Sequence, residues 1–193
     1  MYNQVLIIGR FEPLCYNHIC LFNVAKKYGK DLLIAVGQPN YKKAKEVMNT
    51  DYFLKYQIKH IFSYEKIKQS IEKYTDAKII LIQDIFDNKK YADYIFEEFK
   101  KYDNEINDCV IIGENNWTKE CFKGKLESIN PKLSFHATDV RSEVLEKGNS
   151  DRLRMDLNLD EIKRISDCQH LLNYKGNDLE REIERINYKI LND

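Results

Sequence analysis

Short, continuously apolar runs alternate along the chain with longer stretches whose apolar residues recur at helical spacing. Residues 5–8, 32–36, 79–82 and 110–112 are apolar at every position, and each ends near Gly or Asp. An unbroken run of this length is the pattern of a strand buried on both faces. Between the runs, 18–28, 52–62, 65–74 and 89–102 show helical spacing. This alternation predicts an α/β fold: a mainly parallel sheet with helices on both faces. A fifth strand is expected at 133–135, before a helix that begins at Thr138. Beyond Leu159 the pattern is purely helical. Leu179, Ile183, Ile186 and Ile190 fall on one stripe, and Asn177 with Glu180 suits an N-terminal cap. The expected division is a domain over 1–150 and a C-terminal helical extension over 151–193, packed on it. The stripe suits docking on that domain, or a homo-oligomer contact.

The 193 residues suffice for one well-buried domain. A hydrophobic content of 43% with only three prolines and seven glycines excludes a disordered or low-complexity chain. The 31 basic and 31 acidic residues cancel, so net charge supplies no attraction to nucleic acid or an anionic membrane. Any bound polyanion is expected to be small and held by a local cluster. The apolar runs are too short to span a bilayer, and no signal peptide is legible. Five cysteines, an odd number without scaffold-like spacing, suit reduced thiols in a cytoplasmic protein.

In a parallel open sheet, ligands gather at the carboxyl ends of the strands. The segment after the first run reads Gly9-Arg10-Phe11-Glu12-Pro13-Leu14-Cys15-Tyr16-Asn17-His18. Gly9 permits a tight approach of the backbone, and Arg10 offers a fork of donors for phosphate oxygens. His18 is expected in the first turn of a helix, where free N–H groups and the helix dipole favour phosphate. Read without any relative, the same residues also suit an ordinary strand-to-helix loop.

The order of residues resembles the Gly-Arg-Phe-x-Pro-x-His-x-Gly-His signature of the nucleotidyltransferase superfamily, closest to nicotinamide mononucleotide (NMN) adenylyltransferases of the archaeal type. Gly9, Arg10, Phe11, Pro13 and His18 match, whereas Cys15 replaces the first histidine and Asn17 the glycine. A second segment, His136-Ala137-Thr138-Asp139-Val140-Arg141, resembles the family's Ser-x-Thr-x-x-Arg motif, with His136 at the Ser position. Asp84-Ile85 matches the family's Asp-Ile pair, and Tyr91 stands at the spacing of its ring-stacking tryptophan. Gly113 and Asn115 resemble its strand-then-Gly segment, with Trp117 next in line as a core or loop anchor. After the second run the likeness is loose: Glu46, Asn49 and Phe53 persist, and Lys55 or Lys59 would replace an arginine.

The resemblance covers about residues 4–147 and implies a Rossmann-like sheet and transfer of AMP from ATP to a small phosphomonoester. NMN is the best-matched acceptor, giving NAD and pyrophosphate. It implies His18, Arg10 and Arg141 as catalytic residues. Gly9, Arg10, Cys15, His18, Gly113, His136, Thr138 and Arg141 would bind ATP. Phe11, Asp84, Ile85, Tyr91 and Asn115 would bind the acceptor. Mg²⁺ is implied as the ion that accompanies ATP, with no metal ligands assigned. His136 is expected to replace in part the imidazole missing at Cys15. Two alternatives stay open: another acceptor (flavin mononucleotide, phosphopantetheine, a sugar or glycerol phosphate, with adenylyl or cytidylyl transfer), and a nucleotide-binding sensor that has lost its chemistry. No Walker loop or Gly-x-Gly-x-x-Gly occurs, and Cys15, His18 and Cys20 lack a fourth ligand for zinc.

Overall fold

Each of the four unbroken apolar runs forms a strand: β1 (Tyr2–Gly9), β2 (Gly29–Gln38), β3 (Lys78–Gln83) and β4 (Cys109–Ile112). The computed structural model describes residues 1–102, 105–113, 116–131, 137–147, 149–171, 178 and 181. A fifth strand, β5 (Glu127–Ile129), lies earlier than expected, and residues 133–135 fall outside the described residues. The sheet order is β3-β2-β1-β4-β5, and every pairing is parallel. This is a Rossmann-like α/β fold.

The strands bury both faces because alternate side chains enter different layers. Val5, Ile7, Ile34, Val36 and Val110 point into one core with Phe22, Ile67, Ile71, Val144 and Ile165. These come from α1 (Tyr16–Ala25), α4 (Tyr64–Glu72), α7 (Ala137–Lys147) and α8 (Leu159–Leu171). Leu6, Leu33, Ala35, Ile80 and Ile111 point the other way, onto Ile95 and Phe99 of α5 (Tyr91–Lys100) and Phe122 of α6 (Asn116–Phe122). Phe22, Phe99 and Phe122 are fully buried, each contributing about 2 kcal/mol over exposure.

Two helices escaped the sequence pattern, α2 (Tyr41–Val47) and α6; both are seven residues long. Between α2 and α4 lies α3 (Thr50–Lys59). Asn40 caps α2 by accepting from Lys43 N–H at 3.1 Å, and Asn49 caps α3 by accepting from Tyr52 N–H at 3.0 Å.

After α7 the chain returns to the start of α1. Cys15 and Leu153 form an antiparallel bridge, Tyr16 N–H donates to Arg152 O at 2.7 Å, and Arg154 N–H donates to Leu14 O at 2.9 Å. The expected stripe from Leu179 to Ile190, with its cap at Asn177 and Glu180, lies outside the described residues. No helix among the described residues is long and apolar enough to cross a membrane.

The topology positions the site. From β1 the chain builds outward to β2 and β3, then returns to place β4 on the other side of β1. Such a reversal leaves a crevice at the carboxyl ends of the strands.

Candidate functional site

A cavity of about 550 Å³ opens at that edge, within the range of small-molecule sites. Ile8, Gly9 and Arg10 line it from the end of β1, and Gly37 from β2. Asp84, Ile85, Phe86, Asp87 and Asn88 contribute from the segment after β3, and Tyr91 from α5. Met48 and Tyr56 close one side, Trp117 and Thr118 of α6 another. A Cβ at Gly37 would stand in ordinary contact, 3.6 Å from Arg10 Cγ, so Gly37 borders the Arg10 stem.

Arg10, Asp84 and Tyr56 meet within this cavity. Arg10 Nη2 donates to Asp84 Oδ2 at 2.9 Å, and the guanidinium carbon stands 5.7 Å from the centre of the Tyr56 ring. The Tyr56 hydroxyl donates to the same carboxylate oxygen and accepts from Asn40 N–H at 3.0 Å. Burial pushes the Tyr56 phenol well above the usual range, and the hydrogen bond to Asp84 and its negative charge add to the rise. The Tyr91 phenol is raised as well, first by burial and then by the Asp84 charge. Both phenols therefore remain O–H donors at neutral pH.

Aromatic rings form the remaining walls. Phe86 meets Tyr56 edge-on at 5.7 Å, and Trp117 lies 4.7 Å from Tyr91. Trp117 donates from Nε1 to Asn88 Oδ1 at 2.8 Å, which fixes the indole, and 39% of the residue is exposed. Tyr91 is only 5% exposed and packs behind it.

The expected phosphate corner sits beside the cavity, at the start of α1. Cys15 is the N-cap residue, and its backbone N–H donates to His18 Nδ1 at 3.0 Å. His18 thus occupies the position from which a Glu or Gln reaches back in a capping box. Because Nδ1 accepts, the neutral ring carries its proton on Nε2. Desolvation lowers the His18 pKa to about 4, so the neutral form prevails at pH 7. Burial raises the Cys15 thiol, and Arg154 and Asp139 act on it with opposite signs. Asp139 belongs to the first turn of α7, so the start of the second motif's helix lies near that of the first.

Of the residues singled out in the sequence, Gly9, Arg10, Asp84, Ile85 and Tyr91 line the cavity together. His18 and Arg141 are partly buried, on α1 and α7, and do not line it. Phe11 and Cys15 are buried in the core, 3% and 1% exposed. The Phe11 ring lies beneath Gly9, where a Cβ would come within 3.0 Å of it. Gly113 directly follows β4 with open space on its Cα, and its N–H donates to Ile129 O at 3.1 Å. Asn115, His136 and the Thr138 side chain lie outside the described residues. Asn49 and Lys55 line a separate cleft of about 510 Å³ with Thr50, Asp51 and Tyr52.

Sequence reading missed Met48, Tyr56 and Phe86, and took Trp117 only as an anchor. Phe86 carries no mark legible in the sequence; its left-handed φ of 53° is seen only in the structure. Tyr56 carries none, being one of thirteen tyrosines.

The fold recurs among solved structures. Two structures of a bifunctional NMN adenylyltransferase/ADP ribose pyrophosphatase from Francisella tularensis align over 98% of this chain. One has 20% identity and a TM-score of 0.60; the other, complexed with AMP and Mn ion, has 19% identity and a TM-score of 0.55. A NadR protein in complex with NR aligns over 80% of this chain and 44% of its own, at 15% identity and a TM-score of 0.51. The chain spans 55% and 54% of the two Francisella chains, about half their length. At such identities the likeness is one of fold. No protein-family model and no curated protein matches the chain.

Proposed function

We propose that this chain is a nucleotidyltransferase that moves AMP from ATP to a small phosphomonoester, with NMN the best-fitting acceptor. The observation that carries the reading is the crevice where the strand order reverses, with one guanidinium, two carboxylates and a set of aromatic walls. ATP phosphates would lie across Gly9, Arg10 and the start of α1, and the resemblance adds Gly113, His136, Thr138 and Arg141 to the ATP-binding set. The acceptor would occupy the space between Asp84, Ile85, Tyr91 and Trp117, and the resemblance adds Asn115 to the acceptor-binding set. Asp84 and Asp87 against Arg10 leave the described lining with a surplus negative charge, which favours a cationic planar ring over a neutral one. The reading keeps residues 1–150 as the transferase domain and 151–193 as an extension.

In this reaction an acceptor phosphate oxygen forms a bond to the α-phosphorus as the bond from that phosphorus to the β-bridging oxygen breaks. The electron pair leaves with pyrophosphate. No protein nucleophile is required. The chain contributes alignment and charge stabilisation: the Arg10 fork, the His18 Nε2–H and Arg141 meet the negative charge that grows on the leaving group. His18 acts here as a neutral donor, in keeping with its lowered pKa. Among the described residues no group of three or more His, Cys, Asp or Glu side chains converges on one point. These residues do not fit a resident divalent ion, and no step runs through one; Mg²⁺ belongs to the reading only as the ion ATP brings.

Pyrophosphate release from ATP with a panel of acceptors tests the reading. Fastest release with NMN supports it. Release only with flavin mononucleotide, phosphopantetheine or a sugar phosphate reassigns the acceptor. ATP binding without release for any acceptor favours the sensor, the reading that the buried Cys15 thiol at the first histidine position suggests.

A further inference from the structure

Two buried anchors fix the loop that carries Arg10. Phe11 has a φ of 55°, a left-handed conformation that a non-glycine residue keeps only where its surroundings over-determine it. Its ring packs 5.9 Å from Phe22 and edge-on to His18 at 5.1 Å. The next residue, Glu12, turns into the protein, and its Oε2 lies 3.3 Å from Nδ1 of His60. The two side chains are 4% and 3% exposed.

His60 is the C-cap residue of α3, one turn beyond Tyr56. Its ring meets Tyr56 edge-on at 4.9 Å, and Tyr41 of α2 closes the cluster 6.5 Å from His60 and 6.0 Å from Tyr56. Glu12 Oε1 and both His60 ring nitrogens have no aligned hydrogen bond among the described residues. The mutual contact at 3.3 Å is therefore a polar approach of two buried groups rather than an aligned hydrogen bond. Burying such a pair is costly, and apolar residues of the same volume usually serve stability as well or better. Neither side chain lines the cavity. What the pair does is join two segments: Glu12 lies two residues after Arg10, and His60 four residues after Tyr56.

We propose that Glu12 and His60 form a positioning pair, whose buried contact holds the Arg10 loop against the end of α3 and sets where Arg10, Tyr56 and Asp84 meet. The pair touches no substrate and acts through Arg10. It resists drift of the loop at the one point where the chain leaves β1 with a strained residue. The role in nucleotide binding rests on the adenylyltransferase reading; the role in placing Arg10 does not.

The experiment compares Glu12→Ala and His60→Ala with the double variant Glu12→Gln/His60→Asn, whose two amides restore a neutral polar contact. Nitrogen-detected NMR of the Arg10 guanidinium is the ligand-free readout, and ATP titration followed by Trp117 fluorescence is the second. Each alanine variant is expected to move the Arg10 resonances towards those of unpaired arginine and to weaken ATP binding about tenfold. The amide pair should return both readouts to within about twofold of the parent. Unmoved Arg10 resonances in a folded alanine variant overturn the proposal, as does an amide pair that behaves like the alanines. Should the alanine variants not fold, Glu12→Asp, which withdraws the carboxylate by one methylene, must shift the Arg10 resonances part of the way, and no shift overturns the proposal. A parent protein that does not bind ATP sinks the functional reading, while the Arg10 resonances still decide the pair.

Discussion

Arg10 and Asp84 face each other across the cavity, Nη2 to Oδ2 at 2.9 Å, one from the end of β1 and the other from the segment after β3. The guanidinium that the reading assigns to triphosphate is thus paired with a carboxylate before any ligand arrives. A bound triphosphate must compete with Asp84 or share the fork with it.

Replacing Arg10 by Lys keeps the charge and removes the fork. Pyrophosphate release is expected to fall at least about tenfold. The melting temperature should barely move, because the Arg10 side chain is 43% exposed and exposed pairs contribute about 0–1 kcal/mol. Asp84→Asn should act in the opposite sense on the nucleotide, tightening ATP binding while weakening that of a cationic acceptor. Calorimetric titration with ATP and steady-state release with varied acceptor separate the two effects; looser ATP binding by Asp84→Asn would count against the assignment of Arg10.

Trp117 presents the accessible aromatic face of the cavity, whereas Tyr91 is buried behind it. Trp117→Ala is expected to raise the acceptor KM about tenfold, the scale of a lost cation–π contact. The KM for ATP should stay within about twofold of the parent value. An equal rise in both constants would point to collapse of the cavity wall instead.

His18 ties acid stability to the start of α1. The unfolded chain takes up a proton near the usual histidine pKa of 6.5, whereas the folded protein resists until about 4. The associated stability is fully present above 6.5 and is lost as pH falls from there to 4, by about 3 kcal/mol in all. His18→Gln preserves the reach-back cap and removes the titration. Urea unfolding at pH 7 and pH 4.5 should show a smaller acid loss in that variant, and an identical loss would move the acid sensitivity to another group.

Gly29 begins β2 in close contact with β1. An added Cβ would lie 2.5 Å from Val5 Cγ2 and 3.1 Å from the Gln4 carbonyl carbon. Gly29→Ala is expected to destabilise by about 1–3 kcal/mol, as overpacking does. Thermal unfolding would record this, while nucleotide binding well below the midpoint should be intact.

The sheet was legible because its inner strands are buried on both faces, which forces apolar residues at every position from Leu32 to Val36. β5 was not, since Glu127-Ser128-Ile129 is a three-residue edge strand with one covered neighbour. α2 and α6 are too short for a helical period to emerge, and α2 is mostly lysine on its open side. Arg10 and Asp84 could be found because each stands two residues after an apolar run, and Tyr91 because it holds the spacing of the resembled family's ring-stacking tryptophan. Tyr56 could not: its place over Arg10 depends on how α3 meets the end of β3, a tertiary fact that no local pattern encodes. Phe11 shows the reverse case, a motif position whose side chain fills the core.

The return of the chain to Cys15 has a kinetic side. Leu14 N–H meets Met155 Sδ at 3.2 Å across 141 residues of sequence. Contacts of such separation carry a large closure entropy and are assembled after local ones. The corner holding His18 is therefore expected to be completed late. A nascent or partly refolded chain can have its sheet in place while the start of α1 still lacks the segment at Leu153 that braces it, and competence to bind nucleotide should lag behind formation of the sheet.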